Sequence, residues 1–158
     1  MKSLIRFIAW GALLIFLQTT VVPLFAVEGV MPDLLTIWLV FVALREGQTT
    51  ATIAGFSSGL LLDFFSGDFL GIGALAKTCS GFVAGYFYDS FKTAETIGTY
   101  RFFFAMFFSS LLHNLLFFII YLAGTDIPLL RILLQYGAGT TAYSTALSLI
   151  PMYWMTRK

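Results

Sequence analysis

Asp63 and Asp68 are two carboxylates within an otherwise apolar stretch, Gly55–Gly71, which reads GFSSGLLLDFFSGDFLG. Carboxylates in such surroundings suit a metal site, a proton relay or a solute pocket. Their spacing would put the two side chains on different faces of a continuous helix, and the intervening Ser66-Gly67 is typical of a turn. We therefore expect both aspartates at the outer rim of a helical hairpin, whose end Asp63 shapes.

The residue types that would turn this stretch into a catalytic or metal site are scarce elsewhere. The chain has one histidine, His113, and one cysteine, Cys79, and they lie in different apolar segments. DFFSGD also lacks the D-x-x-D spacing with which some lipid-modifying transferases hold a metal. Ser109 and Ser110 precede His113 at helical spacing, but their segment has no carboxylate to orient the imidazole. We therefore predict no catalytic, cofactor-binding or metal-binding residue.

Lys77 is the most unusual residue, because it lies deep in an apolar segment. Ionisable groups at such depth need a partner, a water cavity or a route to the surface. If a hairpin turns near Ser66–Asp68, Lys77 lies roughly one helical turn from Asp63 and can reach its carboxylate. A structural ion pair with Asp63, a solute-binding or proton-coupled site, and snorkelling are the three interpretations left open.

Three further polar positions have structural explanations. His113 and Asn114 lie in mid-segment, where such side chains form hydrogen bonds between membrane helices. Asp33 follows Pro32 at the start of an apolar segment. Proline suits the first turn of a helix, and a carboxylate is favoured at the positive helix end. The Pro32-Asp33 pair therefore indicates the start of a helix and requires no chemistry.

The elements that position these residues are helices in a bilayer. Of the 158 residues, 59% are hydrophobic and 11% are charged, whereas soluble domains have about 25% charged residues. Apolar runs predict an all-α integral membrane protein of one domain, 1–158, with spans of about 4–27, 31–44, 50–65, 69–88, 102–123 and 132–155. The second and third spans are short, so five crossings with one re-entrant segment is the alternative.

The distribution of basic residues predicts that both termini face the cytoplasm. With the N-terminus inside, the cytoplasmic regions hold Lys2, Arg6, Arg45, Lys92, Arg101, Arg157 and Lys158. The outer side then holds Arg131, and Lys77 lies within a span. Basic loops are retained in the cytoplasm, so this asymmetry favours six crossings.

Small residues indicate how the helices pack. Gly55 and Gly59 in the third span, and Gly81 and Gly85 in the fourth, have G-x-x-x-G spacing, which lets helix backbones approach closely. The sixth span is also rich in small side chains. The fifth, with RFFFAMFF and NLLFFIIY, is bulky. Its surface meets either lipid or the helix of a partner.

The region from Met31 to Tyr88 resembles the rod shape-determining protein MreD family of bacterial inner membranes. The resemblance rests on MPDLLTIWLVFVALREG and AGFSSGLLLDFFSGDFLGIGAL. The matching positions include Pro32, Asp33, Arg45, Gly55, Gly59, Asp63 and Gly71.

The resemblance implies a six-helix bundle, similar to the substrate-binding subunits of energy-coupling-factor vitamin transporters, with no enzymatic activity and no nucleic-acid partner. It implies a scaffold subunit of the machinery that builds peptidoglycan along the side wall. The implied partners are MreC, the actin-like MreB, RodA and its transpeptidase. The alternatives are a carrier or solute-binding subunit, with Asp33, Asp63 and Lys77 lining an outward-facing cavity, and a membrane enzyme.

Overall fold

The computed structural model describes residues 2–89, 99–123, 126 and 128–156, and their regular structure is helical apart from one Val27–Val30 bridge. The helices are α1 (Lys2–Thr20), α2 (Leu34–Glu46), α3 (Gln48–Ser66), α4 (Ile72–Gly85) and α5 (Tyr100–Tyr121). A final helical stretch comprises α6 (Leu129–Arg131), a π-helix (Ile132–Ala138) and α7 (Gly139–Thr156). Lys92, Arg157 and Lys158, which contribute to the predicted orientation, lie outside the described residues.

Each segment predicted from the sequence contains a helix, but two helices are shorter than expected. α1 ends at Thr20, and Pro23 lies beyond it in a 3-10 helix, Val22–Phe25. Proline has no N–H to continue an α-helix and disfavours helical backbone in the preceding residue. α4 has 14 residues, because it begins only after Gly71, whose φ is +102°, and ends at Gly85.

α2 is the central helix of the bundle. Its residues Leu35, Leu39 and Val40 are fully buried, and it packs against α1, α3, α4, α5 and α7. With 13 and 14 residues, α2 and α4 rise only about 20 Å, less than the ~30 Å hydrocarbon core. Neither helix is therefore long enough by itself to cross the hydrocarbon core.

One helix is long enough to cross a bilayer. Within the described part of the chain, α5 alone combines sufficient length, 22 residues, with sufficient apolar character. One of its faces is buried and includes Phe102, Ala105 and Met106. The opposite face is exposed and aromatic.

α3 and α4 form a tightly packed hairpin whose seam is made of glycines. A Cβ atom at Gly59 would lie 2.6 Å from the Cα of Ala74, and one at Gly81 would lie 2.6 Å from a backbone oxygen of α3. Gly55 and Gly85 likewise face the backbone of the opposite helix. Real Cβ atoms do not approach other atoms this closely, so any larger side chain would push the two helices apart.

Candidate functional site

The polar centre of the bundle is a buried ion cluster of Asp33, Lys77 and His113, one residue each from the start of α2, from α4 and from α5. Lys77 Nζ donates to Asp33 Oδ2. His113 Nε2 lies 2.9 Å from the same carboxylate oxygen and 3.5 Å from Lys77 Nζ. Three helices therefore meet at one carboxylate.

Asp33 also caps α2 and joins it to a fourth helix. Its Oδ1 accepts a 2.9 Å hydrogen bond from the backbone N–H of Thr36, and its Oδ2 accepts a 2.7 Å bond from the Thr36 hydroxyl. The backbone N–H of Asp33 donates to Ser144 Oγ of α7 at 2.9 Å. Asp33 thus marks the start of α2, as expected from the sequence, and it also connects this helix to α4 and α7.

The backbone around Asp33 is attached to α1 as well. Gln18 Nε2 donates to the carbonyl oxygen of Pro32 at 3.1 Å, and Gln18 Oε1 accepts from the N–H of Leu34 at 2.9 Å. One side chain of α1 therefore satisfies a backbone acceptor and a backbone donor at the start of α2. Such groups need partners, because a helix start leaves its first N–H groups unpaired.

The cluster is closed off from the surface. Lys77 is 1% exposed, and Asp33 and His113 are each 6% exposed. Burying charges is tolerable only when they are paired and hydrogen-bonded, as Asp33 and Lys77 are. The snorkelling interpretation of Lys77 and the predicted pair with Asp63 are therefore both wrong, because α4 turns the Lys77 ammonium towards α2.

Asp63 has a different task, at the start of α4. Its Oδ2 accepts hydrogen bonds from the backbone N–H groups of Gly71, Gly73 and Ala74, at 2.8, 3.1 and 3.3 Å. A carboxylate is favoured there because the first N–H groups of a helix are unpaired and carry positive partial charge. Asp63, on α3, thereby closes the α3–α4 hairpin.

Asp63 and Asp68 lie on either side of a turn, but their side chains do not form a common site. α3 ends at Ser66, and Gly67 adopts a φ of +73°. The backbone N–H of Asp68 donates to the carbonyl oxygen of Asp63 at 3.2 Å, but the Asp63 side chain points to α4 and is 2% exposed. Asp33, Asp63 and Lys77 are all buried, so they do not line the outward-facing cavity that the alternative of a solute-binding subunit requires.

Asn114 forms a second connection between helices. Its Nδ2 donates to Ser110 Oγ of the same helix at 3.2 Å and to Thr141 Oγ1 of α7 at 3.0 Å. The Thr141 hydroxyl donates in turn to the carbonyl oxygen of Gly137 at 2.7 Å. This chain links α5 to the final helical stretch on the side of α5 next to His113.

Three residues of the site were not identified from the sequence: Gln18, Thr36 and Ser144. The signal for Thr36 is its position three residues after Asp33, the spacing at which a capping side chain meets the helix backbone. Gln18 was visible only as a polar interruption in an apolar run. Ser144 is one of several small residues in the sixth span, and nothing in the sequence indicates that it bonds to Asp33.

The remaining candidate, Arg45, lies at the exposed C-terminal end of α2, where a cation complements the helix dipole. Among the described residues, no group of three or more histidine, cysteine, aspartate or glutamate side chains is placed to hold a metal ion.

This arrangement is that of an all-helical bundle with a buried ion pair at its centre and, among the described residues, one helix long and apolar enough to cross a bilayer. The family model described as rod shape-determining protein MreD matches residues 1–157, and the chain belongs to this family. The resemblance found in the sequence is thereby confirmed and extends over nearly the whole chain. Comparison with curated proteins and with solved structures gives no match.

Proposed function

We propose that this protein is a non-catalytic scaffold subunit of the rod-shape machinery that links MreC and the wall synthases, RodA and its transpeptidase, to the MreB filament. Membership of the MreD family supports a role in shape determination. The finer role is supported by one structural observation: an exposed aromatic face on a helix whose opposite face is anchored by the ion cluster.

That face runs along the first half of α5. Tyr100, Phe104 and Phe108 are 69%, 45% and 48% exposed, and their ring centroids are spaced 6.3 Å apart at both steps. Phe103 and Phe107 form a second stacked pair beside them, at 6.5 Å. We call these five rings the α5 aromatic face.

The α5 aromatic face suits a partner helix for a physical reason. Lipid gives no hydrophobic drive for helices to associate, so association depends on packing between shaped, rigid surfaces. Rings that stack on each other lose little further freedom when a partner packs on them, which lowers the entropic cost of binding. The buried face of the same helix carries His113, so the cluster holds the α5 aromatic face in place.

The topology belongs to the same proposal. We propose six crossings of the bacterial inner membrane with both termini in the cytoplasm, supported by the basic residues on one side of the predicted spans. Single cysteines placed in a Cys79→Ala background test this. An impermeant maleimide should label Glu28→Cys and Asp126→Cys in intact cells, and Arg45→Cys only after permeabilisation. The reverse labelling would overturn the orientation.

Co-purification from the native membrane tests the scaffold role. Phe104→Ala combined with Phe108→Ala should reduce recovery of MreC or RodA about tenfold, since a few buried aromatic anchors dominate most interfaces. Phe64→Ala combined with Phe65→Ala, on α3, is the matched control: both rings are more than 60% exposed, and their loss should leave recovery unchanged. Recovery of transporter subunits in place of wall-synthesis proteins would favour the alternative, a solute-binding subunit.

A further inference from the structure

A surface groove of about 670 Å³ lies between α1 and α3, with α2 as its floor. Its floor includes Trp38 and Val42, and small residues on both walls, Ala12 on α1 with Ala54 and Ser57 on α3, leave it open. The groove follows α1 from residue 8 to residue 19, a rise of about 16 Å, close to the ~15 Å hydrocarbon depth of one leaflet.

The two ends of the groove differ in polarity. Glu46, Thr49 and Thr50 line the end where α2 finishes and α3 begins. Among the lining residues Glu46 is the one with an ionisable side chain. It is exposed and makes no ion pair with any described residue. The rest of the lining is predominantly apolar, so the groove is apolar along most of its length and has a carboxylate at one end, its mouth.

The size of the groove suits a lipid chain. A methylene group takes about 30 Å³, the share of one water molecule in the liquid, so a chain of about sixteen carbons needs roughly 480 Å³. The groove, with about 670 Å³, therefore has room for one acyl chain along its length.

We propose that this groove is a binding site for one acyl chain of a phospholipid with an amine headgroup, such as phosphatidylethanolamine, whose ammonium group pairs with Glu46. The Thr49 and Thr50 side chains lie beside that headgroup. An anionic headgroup placed at the same mouth would face the carboxylate of Glu46, which disfavours it. This site is separate from the α5 aromatic face, and the isolated protein is sufficient to test it.

Trp38 provides the measurement, because its indole lies on the floor of the groove. A variant with Trp10→Phe and Trp154→Phe keeps this single reporter. When this variant is reconstituted in vesicles of phosphatidylglycerol, phosphatidylethanolamine with brominated acyl chains should quench the Trp38 fluorescence saturably. In the reverse experiment, brominated phosphatidylglycerol in vesicles of phosphatidylethanolamine should reach the same quenching only at about fivefold higher concentration. A fivefold difference in affinity is the size expected for one partly exposed ion pair.

Two variants separate headgroup recognition from chain binding. Glu46→Gln should abolish the preference between the two lipids, whereas Glu28→Gln, an acidic residue outside the groove, should retain it. Ser57→Phe should fill the groove and remove saturable quenching, and Ala142→Phe, on the exposed surface of α7, should not.

Three results would overturn the proposal. Equal quenching by the two lipids in the parent variant would show that Glu46 selects no headgroup. Saturable quenching that persists in Ser57→Phe would place the lipid elsewhere. Loss of quenching when a partner subunit is co-reconstituted, with the groove lipid-free in the assembly, would assign the groove to a protein helix.

Discussion

The Lys77 ammonium on α4 pairs with the carboxylate of Asp33 at the start of α2, across 44 positions of the sequence, and both groups are buried. The same carboxylate oxygen receives His113 from α5. One charged centre therefore determines how three helices are placed. The groups in the bundle best suited to acid–base chemistry are thus bound to one another.

Removing one charge of this pair should be much more damaging than removing both. Lys77→Met and Asp33→Asn should each lower the free energy of unfolding by about 3 to 5 kcal/mol, because each leaves an uncompensated charge or polar partner in the core. The double variant should lose less than the sum of the two. Equilibrium unfolding in mixed micelles measures all three.

The Arg101–Asp89 pair supplies the control for that cycle. Its closest atoms are 3.9 Å apart, and its side chains are 51% and 33% exposed. Arg101→Met should cost no more than about 1 kcal/mol. If Lys77→Met proved equally mild, or the double variant were fully additive, the cluster would not hold the helices together.

Gly59→Ala should destabilise the α3–α4 hairpin by about 1 to 3 kcal/mol, the usual result of forcing a methyl group into a filled space. The added carbon would lie 2.6 Å from the Cα of Ala74, where backbone has to move. Gly139→Ala is the matched control, since its new carbon would lie 3.4 Å from a Val30 methyl group. Thermal unfolding of the two variants in detergent should separate them; similar midpoints would contradict the close packing.

The helices and the hairpin turn were predictable from the sequence because their causes are local. Apolar runs identify the segments, Ser66-Gly67 marks the turn, and Pro32-Asp33 marks the start of α2. The lengths of the helices were predicted less accurately than their positions. The apolar residues around α4 continue past both of its ends, and the positive φ of Gly71, which delays its start, is not visible as hydrophobicity.

The partners of the buried charges were not predictable, because they depend on how distant helices pack. The sequence offered Asp63 as the partner of Lys77, but that carboxylate is occupied by backbone N–H groups of α4. Sequence patterns show side chains but not which backbone groups lack partners. Gln18 illustrates the same limit, since both of its partners are backbone atoms at the start of α2.

Asp63→Asn should lower the stability of the hairpin by about 1 to 2 kcal/mol, because it removes the negative charge that three backbone N–H groups share at the start of α4. Asp68→Asn should change stability by no more than about 0.5 kcal/mol, because that side chain is half-buried and forms no such cap. Unfolding in mixed micelles compares the two. A larger loss in Asp68→Asn would show that the cap has been assigned to the wrong aspartate.

Gln18→Leu should loosen α1 from the start of α2, since this side chain bonds both to the Pro32 carbonyl oxygen and to the Leu34 N–H. Hydrogen bonds between membrane helices are worth about 0.6 kcal/mol on average, so losing two, with their backbone partners left unpaired, should cost about 1 to 3 kcal/mol. Spin labels on exposed positions of α1 and α3 should report a broader distance distribution. Thr19→Val is the control, because the Thr19 hydroxyl bonds only within α1. Equal broadening in both variants would mean that α1 is held by apolar packing, with no contribution from Gln18.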